Sequence, residues 1–121
     1  MPIPVSINLK KISRILSLIF DDNTAAELSC EFLRVNSPSA EVKGHGPGQS
    51  VLQTGKENIN ITSIEPIGNY AIKLIFDDGH NSGIYTWKYL YELCVQKDKL
   101  WDEYINTLAK KGYTRKGNES V

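Results

Sequence analysis

Leu18-Ile19-Phe20-Asp21-Asp22 recurs as Leu74-Ile75-Phe76-Asp77-Asp78, an identical five-residue stretch 56 positions later in a chain of 121 residues. After one inserted residue in the second copy, the correspondence resumes at an offset of 57. Ala26, Leu28, Ser29, Glu31, Phe32 and Leu33 then face Gly83, Tyr85, Thr86, Lys88, Tyr89 and Leu90. Each copy reads as an apolar strand, an acidic turn, a returning strand and a short helix. Asp21-Asp22-Asn23 and Asp77-Asp78-Gly79 suit hairpins, because Asn, Asp and Gly accept positive φ and the carboxylates bond to nearby backbone. Only the second turn carries a histidine, His80.

Working outward, Ile3, Val5, Ile7 and Leu9 alternate as in a strand with one buried face. Ile15 to Phe20 and Ala25 to Ser29 form the first predicted hairpin, and Glu31 to Arg34 one helical turn. Ser37-Pro38 is helix-start chemistry, a hydroxyl to cap orphan amides and a proline with φ pre-set for the first turn. The helix it opens is short, because Gly44-His45-Gly46-Pro47-Gly48 breaks it. Gln49 to Asn58 is polar and reads as a mobile loop. Ile59, Ile61 and, after Thr62-Ser63, Ile64 belong to a strand ending near Pro66. Tyr70 to Phe76 and Ser82 to Tyr85 make the second hairpin. Thr86 is placed to cap a helix over Trp87 to Leu93, and Asp98 a longer final helix. Leu100, Trp101, Tyr104, Ile105 and Leu108 line one face of that helix, and Gly112 stops it. Strands before helices in each half predict an α+β domain: antiparallel strands and hairpins with short helices packed on the sheet, two-layered and pseudo-duplicated. The expectation is a single domain over residues 1–121, ordered from about 3 to 113, with 114–121 disordered.

Composition excludes several functions. Lysine plus arginine and aspartate plus glutamate stand at 14 each, so no global field draws in nucleic acid or an anionic membrane. Met1-Pro2-Ile3-Pro4 lacks the basic, then apolar, pattern of a signal peptide, and no apolar run spans a bilayer. Cys30 and Cys94 imply no disulfide framework and read as buried, inert thiols. A cytoplasmic protein is the default.

The chemistry-bearing residues are few. His45 is followed by Gly46-Pro47 and His80 by Asn81-Ser82, so the His-x-Asp signature of a two-histidine, one-carboxylate iron site is absent. The Gly44–Gly48 loop lacks the Gly-Lys-Ser/Thr ending of a phosphate loop and reads first as a tight turn. Asp21-Asp22 and Asp77-Asp78 read as turn residues, since adjacent strand positions point to opposite faces. His80 reads as a turn histidine bonded to a carboxylate. As a metal ligand it would need His45, Asp77 or Asp78 as partners. Arg34, beside Asn36, reads as a surface charge pairing with Glu31 three residues earlier or as a contact point. Trp87 and Tyr91 share a helix face directed at the core, while Tyr89 or Lys88 is left for contact.

The run Glu31-Phe32-Leu33-Arg34-Val35-Asn36-Ser37-Pro38-Ser39-Ala40-Glu41-Val42, with Gly44 to Gln49, Phe76 to His80 and Gly83 to Trp87, resembles the DUF971 family over roughly Ile7 to Tyr113. These are small bacterial proteins of unknown function, similar to the N-terminal domain of γ-butyrobetaine hydroxylase-like oxygenases and found fused to P-loop iron–sulfur carriers. In the hydroxylases the resemblance implies a structural zinc held by three cysteines and one histidine. Those cysteine positions fall on Ser37, Ser39 and Val42, and the histidine on His80. Serine is a poor zinc ligand and valine is none, so the tetrahedral site cannot form as it does there. The catalytic iron and 2-oxoglutarate belong to a separate domain.

The leading expectation is a non-catalytic interaction module rather than an enzyme. Its patch is expected around Arg34, Asn36, Gly46 and Trp87, with an iron–sulfur cluster carrier or oxygenase as the implied partner. The alternative is a zinc or iron site centred on His80 with His45.

Overall fold

The computed structural model describes residues 2–43 and 51–115. Strands β1 (Pro4–Lys10), β2 (Ile15–Phe20) and β3 (Ala25–Ser29) form one antiparallel sheet in sequential order, and α1 (Cys30–Val35) and α2 (Ala40–Lys43) follow. Strands β4 (Ile61–Ile67), β5 (Ala71–Phe76) and β6 (Ile84–Thr86) form the second sheet, also sequential and antiparallel, followed by α3 (Trp87–Val95) and α4 (Lys97–Lys110). The α+β reading and its doubled strand-turn-strand-helix unit stand. The Gly44–Gly48 loop, with His45 and Gly46, lies outside the described residues, as does 116–121.

The central strand of each sheet is the most apolar and supplies the core. Leu16, Leu18 and Phe20 of β2 and Ile72, Leu74 and Phe76 of β5 are all buried, at pseudo-equivalent positions. Period-two alternation directs them to one face. One cluster joins them to Leu28, Phe32 and Leu33 from the first unit and Tyr85, Leu90 and Leu93 from the second, so both units share a single core.

The edge strands correct the expected alternation. Val5 is 66% exposed and only Ile7 and Leu9 pack on the core, because a bulge between Pro4 and Ser6 shifts the register. An added residue reverses which face later side chains occupy. The same irregularity between Ile61 and Ser63 explains why Ile64, rather than Ser63, returns inward in β4.

Helix starts follow capping chemistry with two corrections. Ser29 Oγ accepts from Phe32 N for α1, and Thr86 Oγ1 from Tyr89 N for α3. Ser37 does not cap α2. Ser39 does, its Oγ accepting from Glu41 N at 3.2 Å, which frees Ser37 for a long-range bond. Asp98 is not a cap either: α4 starts at Lys97, directly behind the C-cap of α3 at Gln96, and Asp98 lies within its first turn. Gly112, at φ +79°, ends α4 as expected, with Tyr113 N reaching Leu108 O and Gly112 N reaching Ala109 O. Past that stop, Arg115 stacks on Trp101 and donates Nε to Glu31 at 2.9 Å. No described helix is long and apolar enough to cross a membrane.

Candidate functional site

The turn after β5 brings the second unit's polar side chains onto the α1–α2 connection. His80 Nε2 lies 2.8 Å from Ser37 Oγ, and its Nδ1 3.1 Å from Glu41 Oε2. Ser82 Oγ donates to Glu41 Oε1 at 3.2 Å and sits 2.7 Å from Ser39 Oγ. His80 is 4% exposed and Ser37 fully buried, while Glu41 and Ser82 are exposed, so the network runs from the interior out to the surface.

Proton accounting fixes its direction. A carboxylate only accepts, so Nδ1–H donates to Glu41, which leaves Nε2 as an acceptor for the Ser37 hydroxyl. Ser82 spends its one hydrogen on Glu41, so Ser39 donates to Ser82. Ser37 Oγ also accepts from Ser39 N at 3.3 Å. Each hydroxyl hydrogen is used once. Burial and the nearby Arg34 charge hold the His80 pKa below the usual imidazole value, against the opposing pull of Glu41 and Asp78. In the neutral ring both nitrogens are satisfied, Nδ1 as donor to Glu41 and Nε2 as acceptor from Ser37.

Hydroxyl, imidazole and carboxylate in this order match a nucleophile, a base and its orienter. The surroundings do not match acyl transfer. Ser37 Oγ is occluded, and the Gly83 backbone packs against it so closely that a Cβ on Gly83 would collide with the oxygen.

The other expected residues are dispersed. Arg34 is no surface charge and does not pair with Glu31. Its side chain is 8% exposed, and Nε donates to Asp78 Oδ2 at 2.9 Å, a carboxylate that Lys56 also binds at 2.7 Å. Glu31 instead holds Arg115, because α1 turns it toward α4. Burial by itself would raise the Asp78 pKa. Lys56, the His80 amide and Arg34 outweigh it and bring the carboxyl down to about 2. Arg34 Nη1 is buried without a partner among the described residues. Trp87 is half-buried, packs on the core and donates Nε1 to Asn69 O at 2.8 Å. Cys30 is buried and its thiol pKa raised by desolvation, while burial pushes Cys94 up to about 11, in keeping with inert thiols.

Of the described contact residues, Asn36 borders a recess. A cleft of about 400 Å³ opens between α4 and the segment after the Gly44–Gly48 loop, lined by Val35, Asn36, Val42, Leu52, Leu100 and Tyr104 among others. Lys43 and Val51, the described residues flanking that loop, line it too, and Val51 N bonds to Val42 O at 2.8 Å. Sequence reasoning missed Glu41, Ser82 and this cleft. Glu41, two residues into a serine-capped helix, was the one available signal.

The zinc implied by resemblance does not fit these residues. Ser37, Ser39 and His80 do converge, which supports the positional match, but two are hydroxyls already committed to hydrogen bonds and Val42 is a buried hydrocarbon. Among the described residues no group of three His, Cys, Asp or Glu side chains gathers to hold a metal. The His80 and His45 pairing reaches beyond the described residues.

No curated protein matches the chain. Two NMR solution structures are 52% and 49% identical. The first covers all of this chain and 95% of its own with a TM-score of 0.84, the second 95% and 86% with 0.80. A crystal structure of a protein with unknown function, a DUF971 member from Acidithiobacillus ferrooxidans, is 37% identical, covers 75% of this chain and 91% of its own, and superposes with a TM-score of 0.63. Residues 7–91 match the family described as gamma-butyrobetaine hydroxylase-like, N-terminal, and the chain belongs to that family.

Proposed function

We propose that the chain is a non-catalytic interaction module whose contact surface is the cleft bordered by Asn36, Lys43, Leu52 and Tyr104. The observation that carries this reading is the cleft's composition. Half-buried Val35, Leu52 and Leu100 provide an apolar floor, and Asn36, Lys43 and Glu103 stand at a polar rim. An apolar centre inside a polar rim is the anatomy of a protein contact. The occluded Ser37 favours binding over turnover. The family resemblance points to an iron–sulfur carrier or an oxygenase as the partner class.

The test is titration calorimetry of the purified chain against a purified P-loop iron–sulfur carrier and a γ-butyrobetaine hydroxylase-like oxygenase. Thr107→Arg, at the exposed cleft edge, places a bulky cation over the floor. Binding to one partner that weakens at least tenfold in this variant, at unchanged Tm, supports the reading. Binding indifferent to the cleft, absence of binding to both, or turnover of a small substrate by the isolated chain overturns it.

A further inference from the structure

The junction between α1 and α2 is tied to the second unit at four independent points. Tyr85 Oη donates to Leu33 O and Tyr89 Oη to Asn36 O, each at 2.6 Å, so the backbone is gripped on both sides of Arg34 and Val35. Arg34 reaches Asp78, and Ser37 reaches His80. The ring of Ser37, His80, Glu41, Ser82 and Ser39 then closes with each hydroxyl hydrogen spent once. A structural metal at such a place joins distant segments and holds their side chains in register. Here hydrogen bonds already do both.

We infer that this chain has exchanged a metal-held junction for a metal-free one, in which the five-residue ring closes the α1–α2 connection onto the β5–β6 turn. Ser37, Ser39 and His80 keep positions from which a zinc site can be rebuilt. The chemistry of the donor set argues for the exchange. The His80 Nε2 lone pair, which a zinc ion would need, accepts from Ser37, whereas the Nδ1–H bond to Glu41 is one that a zinc-bound ring would keep. Val42 offers no lone pair. The geometry argues for the latent site, because Ser37 lies one hydrogen bond from Nε2 and Ser39 is linked to Ser37 through its own amide.

The first test uses the native chain. Elemental analysis is expected to find substoichiometric zinc and iron, and Tm to be the same with chelator or with added Zn²⁺. A stoichiometric metal, or a Tm that chelator lowers, overturns the inference. Ser37→Ala is expected to cost about 5–10 °C in Tm by stranding Nε2 without its donor, and added Zn²⁺ is not expected to restore it. The second test is the triple variant Ser37→Cys, Ser39→Cys, Val42→Cys, refolded with and without Co²⁺. Intense thiolate-to-cobalt absorption, weakened more than tenfold in affinity when His80→Ala is added, supports the latent site. A folded variant without that absorption refutes it, as does a variant that folds in neither condition.

Discussion

The two hairpins are built on one plan down to individual atoms, yet only the second carries a polar site. Phe20 N bonds to Thr24 O at 2.8 Å and Phe76 N to His80 O at 3.0 Å. Asp22 Oδ1 accepts from Thr24 N, and Asp78 Oδ1 from His80 N. Asp21 exchanges two bonds with Ile3, and Asp77 the same two with Asn60. Cys30 N reaches Arg14 O, and Trp87 N reaches Tyr70 O. The helices then cross over. Tyr91 of α3 donates to Asp22 at 2.7 Å, and Arg34 of α1, its counterpart at the 57-residue offset, donates to Asp78 at 2.9 Å. Each unit's helix clamps the other unit's turn. The first clamp is a half-buried tyrosine on an exposed carboxylate, while the second is a buried guanidinium beside the His80 ring. The backbone plan is therefore indifferent to chemistry, and the site arises from what the second turn faces: the Ser37–Glu41 segment, in place of open solvent.

The sharpest test of shared architecture lies in the core. Leu33 and Leu90 are equivalent by offset and both fully buried. Leu33→Ala and Leu90→Ala are each expected to cost about 3–4 kcal/mol by chemical denaturation, through lost burial and a residual cavity. A difference above about 1.5 kcal/mol between them would break the equivalence.

The clamps come next. Arg34→Met keeps the volume of the stem but leaves Asp78 to Lys56 and the His80 amide, and is expected to cost about 2–3 kcal/mol, less than for a fully buried pair because the Asp78 carboxylate is 24% exposed. An equal loss in Tyr91→Phe would show that the two clamps do not differ in the way their burial implies.

Much of this plan was legible. The repeated Leu-Ile-Phe-Asp-Asp fixes both turns because local chemistry decides them: Asn23 at φ 69° and Gly79 at φ 89° occupy the same left-handed position, one that few other residues accept. Thr86 was readable as a cap for the same reason. The site was not legible, since its bonds join residues 39 to 44 positions apart. Arg34 had a plausible local partner in Glu31, and nothing in the sequence indicates that Arg115, 84 positions away, takes that carboxylate instead. Ser37 looked like a cap because Pro38 follows it, whereas Ser39 sits nearer the helix and wins. Resemblance located Ser37, Ser39 and His80 together, but the hydrogen bonds that join them depend on Glu41 and Ser82.

Acid titration separates the turns at smaller amplitude. The folded-state pKa of Asp78 is about 2 against an ordinary 3.8, so its contribution is fully present above the ordinary value and is lost as pH falls from about 4 toward 2. After allowance for solvent screening this is about 1 kcal/mol. Stability measured across that window is expected to fall less steeply in Arg34→Met than in the native chain. Parallel slopes would mean that Lys56 and the His80 amide alone hold the carboxylate.

Tyr91→Phe is expected to give the smallest effect, and it sharpens the comparison most. The phenol's bond to Asp22 is the largest cause of that carboxyl's lowered pKa, with the Thr24 amide second, so removing the hydroxyl should shift the Asp22 titration upward toward its ordinary value. The ring itself stays, still edge-on to Phe20 with centroids 5.1 Å apart, so packing is preserved. Carbon-detected NMR titration of the Asp22 carboxyl reads the change directly, and Tm is expected to move less than in any variant above. An unchanged Asp22 titration would mean that the first turn is held by its own backbone, leaving the Arg34 clamp without a functional counterpart. The doubled plan would then extend to the strands, turns and caps but stop short of the contacts by which each unit holds the other.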